Sequence, residues 1–413
     1  MPFSSLGLHA GLLEAVRDLD YHAPTPIQAE AIPLALAGRD LVGCAQTGTG
    51  KTAAFVLPLL HRLNGRRSIS ALIVTPTREL ARQIEEVARS CARYTKHRVA
   101  AVYGGVGYQP QVAALRRGVD LLVATPGRLL DLHNRGSVDL SGVEVLVLDE
   151  ADRMLDMGFW PDVRRIISLL SAERQNLLFS ATLSDEVMRV AGPILRDPAR
   201  VEVAPSATPV ESVTQAIYPV NAFQKTDLLV RLLDAQHLER VLVFTRTKHR
   251  ADRLCRHLAK SRIRGAAIHS NRTQAQRQAA LDGFRRGDYR VLVATDIVAR
   301  GIDVDGISHV VNYDLPSNPE DYIHRIGRTA RAGAEGAAFS FLSAEETKEL
   351  RAIEVMLGMP LECRDLEGFD YVDRIVPHPD RSAVRKPRVV YRGRSSRRRS
   401  SARRVYTGAG WGS

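Results

Sequence analysis

Ala45-Gln46-Thr47-Gly48-Thr49-Gly50-Lys51-Thr52 is the stretch on which the reading of this chain turns. Gly48 and Gly50 let the backbone curl until its N–H groups point at phosphate oxygens. Lys51 follows to neutralise β/γ-phosphate charge, and the Thr52 hydroxyl is suited to ligate Mg2+. A helix starting here adds its positive N-terminus. Ala45 stands where the usual pattern has its first glycine. About a hundred residues on, Val145-Leu146-Val147-Leu148 runs into Asp149-Glu150-Ala151-Asp152. Four aliphatics of the buried type leading straight into acids argue against a merely solvated turn. Asp149 is the candidate Mg2+-holding carboxylate, and Glu150 the group that orients or deprotonates an attacking water. The two segments together point to nucleoside triphosphate hydrolysis, a reaction carried mostly by positioning and charge stabilisation.

Around these segments, short apolar runs alternate with helical patterns. They are 71–74, 99–102, 121–124, 145–148 and 176–179, then 241–244, 266–268, 291–294, 309–311 and 338–341. Continuous apolar strands separated by helices predict parallel sheets covered on both faces. The fold class expected is therefore α/β, with two tandem parallel-sheet domains. In the first half, Thr75-Pro76-Thr77-Arg78, Gly104-Gly105, Thr125-Pro126-Gly127-Arg128, Asp149 to Asp152 and Ser180-Ala181-Thr182 each follow a strand. Five polar segments on one sheet edge predict a binding surface there.

The 413 residues suffice for two domains and a remainder. The expected division is 1–203, a linker 204–212, a second domain 213–365 and a tail 366–413 read as disordered. The formal charge of +12 is unevenly placed. From Pro377 to Ser413 eleven Lys/Arg face the single Asp380, a net +10 that leaves about +2 for all that precedes it. A near-neutral core with a cationic extension predicts a polyanion partner. In that extension Tyr391, Tyr406 and Trp411 lie among arginines such as Arg397, Arg398 and Arg399, a composition suited to stacking on bases. No apolar run reaches the roughly 18 residues of a membrane helix, and no secretory signal is visible. Cys44, Cys91, Cys255 and Cys363 are far apart, which speaks against a disulfide framework or a zinc site and for a reducing cytoplasm.

Asp149-Glu150-Ala151-Asp152 spells the signature of the DEAD-box RNA helicases, and further motifs of that family follow its order. Pro24-Thr25-Pro26-Ile27-Gln28 resembles the Q motif, with Phe3 as the upstream aromatic. Ser180-Ala181-Thr182 resembles motif III, and Gln274 with Arg277 the Gln-x-x-Arg element. Ala294-Thr295-Asp296 through Arg300-Gly301-Ile302-Asp303 resembles motif V, and His324-Arg325-Ile326-Gly327-Arg328-Thr329-Ala330-Arg331 motif VI. The resemblance covers roughly residues 3 to 360. Thr245-Arg246-Thr247-Lys248 and His269-Ser270-Asn271 look most like the bacterial RhlE-type branch.

The resemblance implies two RecA-like domains and roles for individual residues. Gln28 would read the adenine edge and Tyr21 would stack on the ring, making ATP the fuel; the family usually has glycine where this chain has Asp20. The loop 45–52 and Asp303 would complete the nucleotide contacts, and Thr52 with Asp149 would hold Mg2+. Catalysis would fall to Lys51, Asp149 and Glu150, with Arg328 and Arg331 as arginine fingers from the other half. Asp152, Ser180, Thr182, His324 and Arg325 would couple the halves. RNA would lie on Thr77, Arg78, Gly105, Thr125, Gly127, Arg128, Gln274, Arg277, Thr295 and Arg300. Such contacts position a strand without reading its sequence. RNA is thus the expected partner of a monomeric, cytoplasmic core. Ribosomal or RNA-degradation proteins are further partners, and ribosome assembly, mRNA decay and cold adaptation are open settings. A DNA translocase and an ATP-gated RNA clamp are the competing readings; a small-molecule kinase is excluded by architecture.

Overall fold

The computed structural model describes residues 2–45, 49–63, 65, 68–203, 213–296, 304, 306–330 and 336–372. The first half holds strands β1 (Leu41–Cys44), β2 (Ala71–Val74), β3 (Val99–Val102), β4 (Leu121–Ala124), β5 (Val145–Leu148), β6 (Gln175–Ser180) and β7 (Ala199–Glu202). They form one sheet in the order β3-β4-β2-β5-β6-β1-β7, and every pairing is parallel. Its helices are α1 (Ala10–Asp18), α2 (Pro26–Leu36), α3 (Lys51–Arg62), α4 (Arg78–Cys91), α5 (Tyr108–Arg116), α6 (Pro126–Asn134), α7 (Ala151–Asp156), α8 (Trp160–Ser168) and α9 (Asp185–Ala191).

The second half repeats the plan. Strands β8 (Val213–Pro219), β9 (Val241–Phe244), β10 (Gly265–Ile268), β11 (Val291–Ala294), β12 (His309–Asn312), β13 (Gly336–Leu342) and β14 (Glu362–Cys363) pair in the order β10-β11-β9-β12-β13-β8-β14, again all parallel. Between and after them lie α10 (Lys225–Ala235), α11 (Lys248–Lys260), α12 (Gln274–Arg286), α13 (Pro319–Ile326) and α14 (Thr347–Leu357).

Side-chain alternation explains why these strands are apolar throughout. Ala71, Ile73, Leu121, Val123, Val145 and Val147 pack into the core under one face of the first sheet. Leu72, Val74, Leu122, Ala124, Leu146 and Leu148 pack into the core under the other. In the second half Val291 and Val293 face one core while Leu292 and Ala294 face its opposite. With both faces covered, polar residues are left to the strand ends, and the carboxyl ends collect the chemistry.

All the strands expected from apolar runs are present. β1, β7, β8 and β14 were not among those runs. β1 contains Gly43, over which the Phe179 ring lies so closely that a Cβ would come within 2.6 Å of it. β7 is an edge strand with alternating burial, and β8 mixes Thr214 and Gln215 into its start. Residues 204–212, the expected linker, lie outside the described residues. Residues 366–372, assigned from sequence to the tail, pack on the second half. Leu366 is buried, and the Gln224 side chain donates to Asp370 O at 2.8 Å and accepts from Val372 N at 2.8 Å. The rest of the tail is outside the described residues. No described helix is long and apolar enough to cross a membrane.

Candidate nucleotide and nucleic-acid site

The phosphate loop begins at the carboxyl end of β1, where Ala45 N donates to Ser180 O on β6 at 3.1 Å. Gln46, Thr47 and Gly48 lie outside the described residues. Gly50 caps α3 with φ +91°, a left-handed conformation that favours glycine. A Cβ there would also meet Gln28 Nε2 at 2.4 Å. The close approach is a hydrogen bond, with Gln28 Nε2 donating to Gly50 O at 3.0 Å. The other end of the same amide, Oε1, accepts from Thr25 N at 3.0 Å and closes a capping box on α2. Gln28 therefore ties the Q segment to the phosphate loop from a buried position. Tyr21 stacks on Phe3 with centroids 6.4 Å apart, and burial raises its hydroxyl pKa. Asp20 sits just before it at φ +55°, the region for which glycine is the usual solution.

Lys51, Thr52, Asp149 and Glu150 converge at this edge. Lys51 is 7% exposed, and among the described residues its buried ammonium has no hydrogen-bond partner. A buried cation without an acceptor is costly unless an anion completes it. Burial pushes the Asp149 carboxyl up to about 7, against the opposing pull of Lys51, and the neighbouring Glu150 charge adds to the rise. A divalent cation between Thr52 and Asp149 and phosphates on Lys51 would relieve both strains, so the donor set fits Mg2+ and a nucleotide. Glu150 adopts φ +52° and ψ +54° at the start of α7, and its carboxylate pairs with Arg153. A left-handed non-glycine residue at this point is local strain of the kind stored at functional sites.

Asp152 turns toward β6. Its Oδ2 accepts from Ala181 N at 3.1 Å, Thr182 N at 3.0 Å and Thr182 Oγ1 at 3.2 Å, while its backbone N donates to Ser180 Oγ at 3.3 Å. The acidic quartet and the Ser180–Thr182 segment are thus one hydrogen-bonded unit. Across from it, Glu320, His324 and Arg328 line the same narrow cleft as Glu150, Asp152, Arg153, Asp156, Ala181 and Thr182. Arg328 is buried, and its Nε donates to His324 O at 3.1 Å.

Arg325, expected to help couple the halves, does not line this cleft. Its guanidinium forks onto Asp296 at 2.6 and 2.7 Å, donates to Asn312 Oδ1 and Asp314 O, and lies over the Phe244 ring. A bidentate carboxylate in its own half saturates it. Arg300, Asp303 and Arg331 lie outside the described residues.

A second contact across the cleft involves a residue that sequence reasoning passed over. Glu79, in the first turn of α4, accepts from Gln274 Nε2 at 3.0 Å and pairs with Arg277 at 2.6 Å. All three are buried. Desolvation lowers the Arg277 pKa, with Glu79 opposing. The only sequence signal for Glu79 was its place beside Arg78 at a strand end. Gln274 and Arg277, expected on the RNA face, have at least these side-chain groups turned to Glu79.

The remaining expected RNA residues cluster on the first half. Thr77 caps α4 by accepting from Leu80 N at 3.3 Å, and Thr125 precedes α6. Arg78 lies against Gly104 and Gly105; at Gly105, with φ +79°, a Cβ would come within 2.0 Å of its guanidinium. Gly127 faces open space. Arg128 donates twice to Val106 O at 3.1 Å, which pins the loop after β3 to the start of α6. In the second half Thr295 is half-buried just after β11.

Residues 25–190 match the DEAD/DEAH box helicase family and residues 224–333 the helicase conserved C-terminal domain. The DEAD-box ATP-dependent RNA helicase RhpA of Helicobacter pylori strain B128 is 42% identical over 360 residues, 87% of this chain and 73% of that protein. The ATP-dependent RNA helicase CshA of Listeria monocytogenes is 45% identical over 354 residues, 85% of this chain and 68% of that protein. Among solved structures, Saccharomyces cerevisiae Dbp5 bound to RNA and ADP BeF3 superposes with a TM-score of 0.79 at 33% identity, covering 88% of this chain and 95% of that one. The two parallel-sheet halves are therefore tandem RecA-like domains, and the chain belongs to the DEAD-box ATP-dependent RNA helicases.

Proposed function

We propose that the two domains, 1–203 and 213–365 with its packed extension to 372, form one split engine. ATP binds at the first domain and is completed from the second. Lys51 and the loop 45–52 hold the β/γ-phosphates, Gln28 and Tyr21 the adenine, and Asp303 the ribose. Thr52 and Asp149 would hold Mg2+, which supplies charge neutralisation for the phosphates. Glu150 accepts a proton from, or aligns, the attacking water. Arg328 and Arg331 stabilise charge on the transferring phosphoryl group, a contribution worth roughly 10³–10⁵ in rate for arginine fingers of related NTPases. The observation that carries this reading is the sharing of one cleft by Glu150 and Asp152 with His324 and Arg328.

RNA is the second ligand of the same closure. It lies along Thr77, Arg78, Gly105, Thr125, Gly127 and Arg128 and is reached from the second domain by Thr295 and Arg300. Gln274 and Arg277 act through Glu79, holding the domains together beneath the strand. ATP and RNA both favour the closed arrangement, so each raises affinity for the other. Closure bends one strand and expels its partner, and loss of the γ-phosphate contacts reopens the cleft. Unwinding is then local and non-processive. The tail adds affinity for polyanions. A cytoplasmic setting agrees with the wide spacing of the four cysteines. Structured RNAs of ribosome assembly or decay are the substrates we would examine first. The test compares RNA with DNA of equal length as activators of ATP hydrolysis, and then scores strand displacement. Stimulation and displacement by RNA alone are expected. Equal stimulation by DNA would favour a translocase, and ATP-dependent retention without displacement would favour a clamp.

A further inference from the structure

Tyr108, the first residue of α5, carries a guanidinium against its ring twice over. Arg128 Cζ stands 4.2 Å from the ring centroid and Arg135 Cζ 4.3 Å. Two guanidinium groups thus crowd one ring. Arg128 and Arg135 are seven positions apart on α6 and its cap, two helical turns, and so project from the same side. The Tyr108 hydroxyl donates to Asp131, and Arg135 Nε donates to the same carboxylate at 2.9 Å. These contacts hold the Asp131 carboxyl below the usual carboxylate range, first through Tyr108 and then through Arg135. The cluster therefore has two cations to one anion.

The two arginines differ in what they leave open. Arg128 spends both terminal nitrogens on Val106 O. Arg135 keeps its side chain 57% exposed. Arg128 belongs to the proposed RNA track, and Arg135 meets the same Tyr108 ring. A flexible surface arginine loses conformational freedom when it binds; one already stacked and hydrogen-bonded loses less. A guanidinium plane also accepts an unstacked base.

We propose that Tyr108 and Arg135 extend the RNA track beyond Arg128, forming a contact for the phosphate and base of a single strand as it leaves the core. The extension rests on the RNA track placed above. Arg135 is the contacting group, and Tyr108 is the positioning residue that fixes it.

The test uses the full chain with a non-hydrolysable ATP analogue and two oligoribonucleotides, one of about six and one of about fifteen residues, within the span of typical single-strand sites. Arg135→Gln is expected to weaken the long RNA about three- to tenfold, to lower the salt slope by about one, and to leave the short RNA unchanged. Tyr108→Leu should reproduce this, and Tyr108→Phe, which keeps the ring, should stay within about twofold of wild type. Arg135 is a surface residue, so Arg135→Gln reports even where Tyr108→Leu fails to fold. Unchanged long-RNA affinity and salt slope in Arg135→Gln, or equal losses on both lengths, would overturn the extension. Gly105→Val, which drives a side chain into Arg78, separates the two readings. It should weaken both RNAs, and if it leaves the short RNA unaffected the track itself is misplaced.

Discussion

At the residue scale, single groups carry opposed demands. Asp149, the carboxylate proposed to hold Mg2+, is buried, and that burial pushes its carboxyl up to about 7. The sign follows directly. The nucleotide-free native state keeps a proton on Asp149 at pH values where the unfolded chain has lost it. Stability is therefore withdrawn as pH rises from about 4 to about 7, and the full cost remains above that window. Asp149→Asn removes the cost. Without nucleotide it should melt higher than wild type at pH 8, by a contribution of order 1 kcal/mol or more, and show little gain at pH 4. Thermal melts at the two pH values check this, and a gain independent of pH would contradict it. Glu150→Gln should retain ATP and RNA binding while turnover falls by roughly 10²-fold or more. Near-normal ATPase would remove Glu150 from its assigned role. Gly50→Ala combines an unfavourable φ with a clash against Gln28, so ATP affinity should drop at least about tenfold in a titration. A drop of less than twofold would count against the tie.

At the element scale, much was legible and the omissions have physical causes. Strands buried on both faces advertise themselves as unbroken aliphatic runs, so β2 to β5 and β9 to β12 could be read directly. β1 could not, because its packing depends on a glycine beneath an aromatic ring. A residue type does not disclose its partner. Arg325 in a motif reads as a cleft residue, yet Asp296 lies nearer and takes it. Glu79 reads as an ordinary acid at a helix start, and only the fold brings α12 to it. The Gln28 capping role and its tie to Gly50 are two ends of one amide, which a linear sequence presents as alternatives. The Glu79 contact makes a prediction of its own. Removing one partner of a buried pair leaves the other uncompensated, at about 3–5 kcal/mol. Glu79→Gln, which keeps the shape, should destabilise the closed arrangement and reduce the mutual enhancement of ATP and RNA binding at least about tenfold. ATP affinity without RNA should be nearly unchanged. Unaltered enhancement would deny the contact a part in closure.

At the scale of the whole molecule, the charge distribution separates the two kinds of RNA affinity. The core is nearly neutral and the residues from Pro377 onward are strongly basic. Deleting 377–413 should weaken RNA binding and flatten its dependence on salt, with ATP-linked strengthening intact. Equal salt slopes with and without that segment would assign it another task. The central claim is that ATP and RNA are joint ligands of one closed cleft built from both domains. It is tested most directly by a binding cycle on the intact protein, in which RNA affinity is measured with and without a non-hydrolysable ATP analogue, and analogue affinity with and without RNA. Linkage requires the two ratios to be equal, and the split site predicts that both are about tenfold or greater and that Arg328→Ala collapses them together. Ratios near one in the wild-type protein would contradict the account.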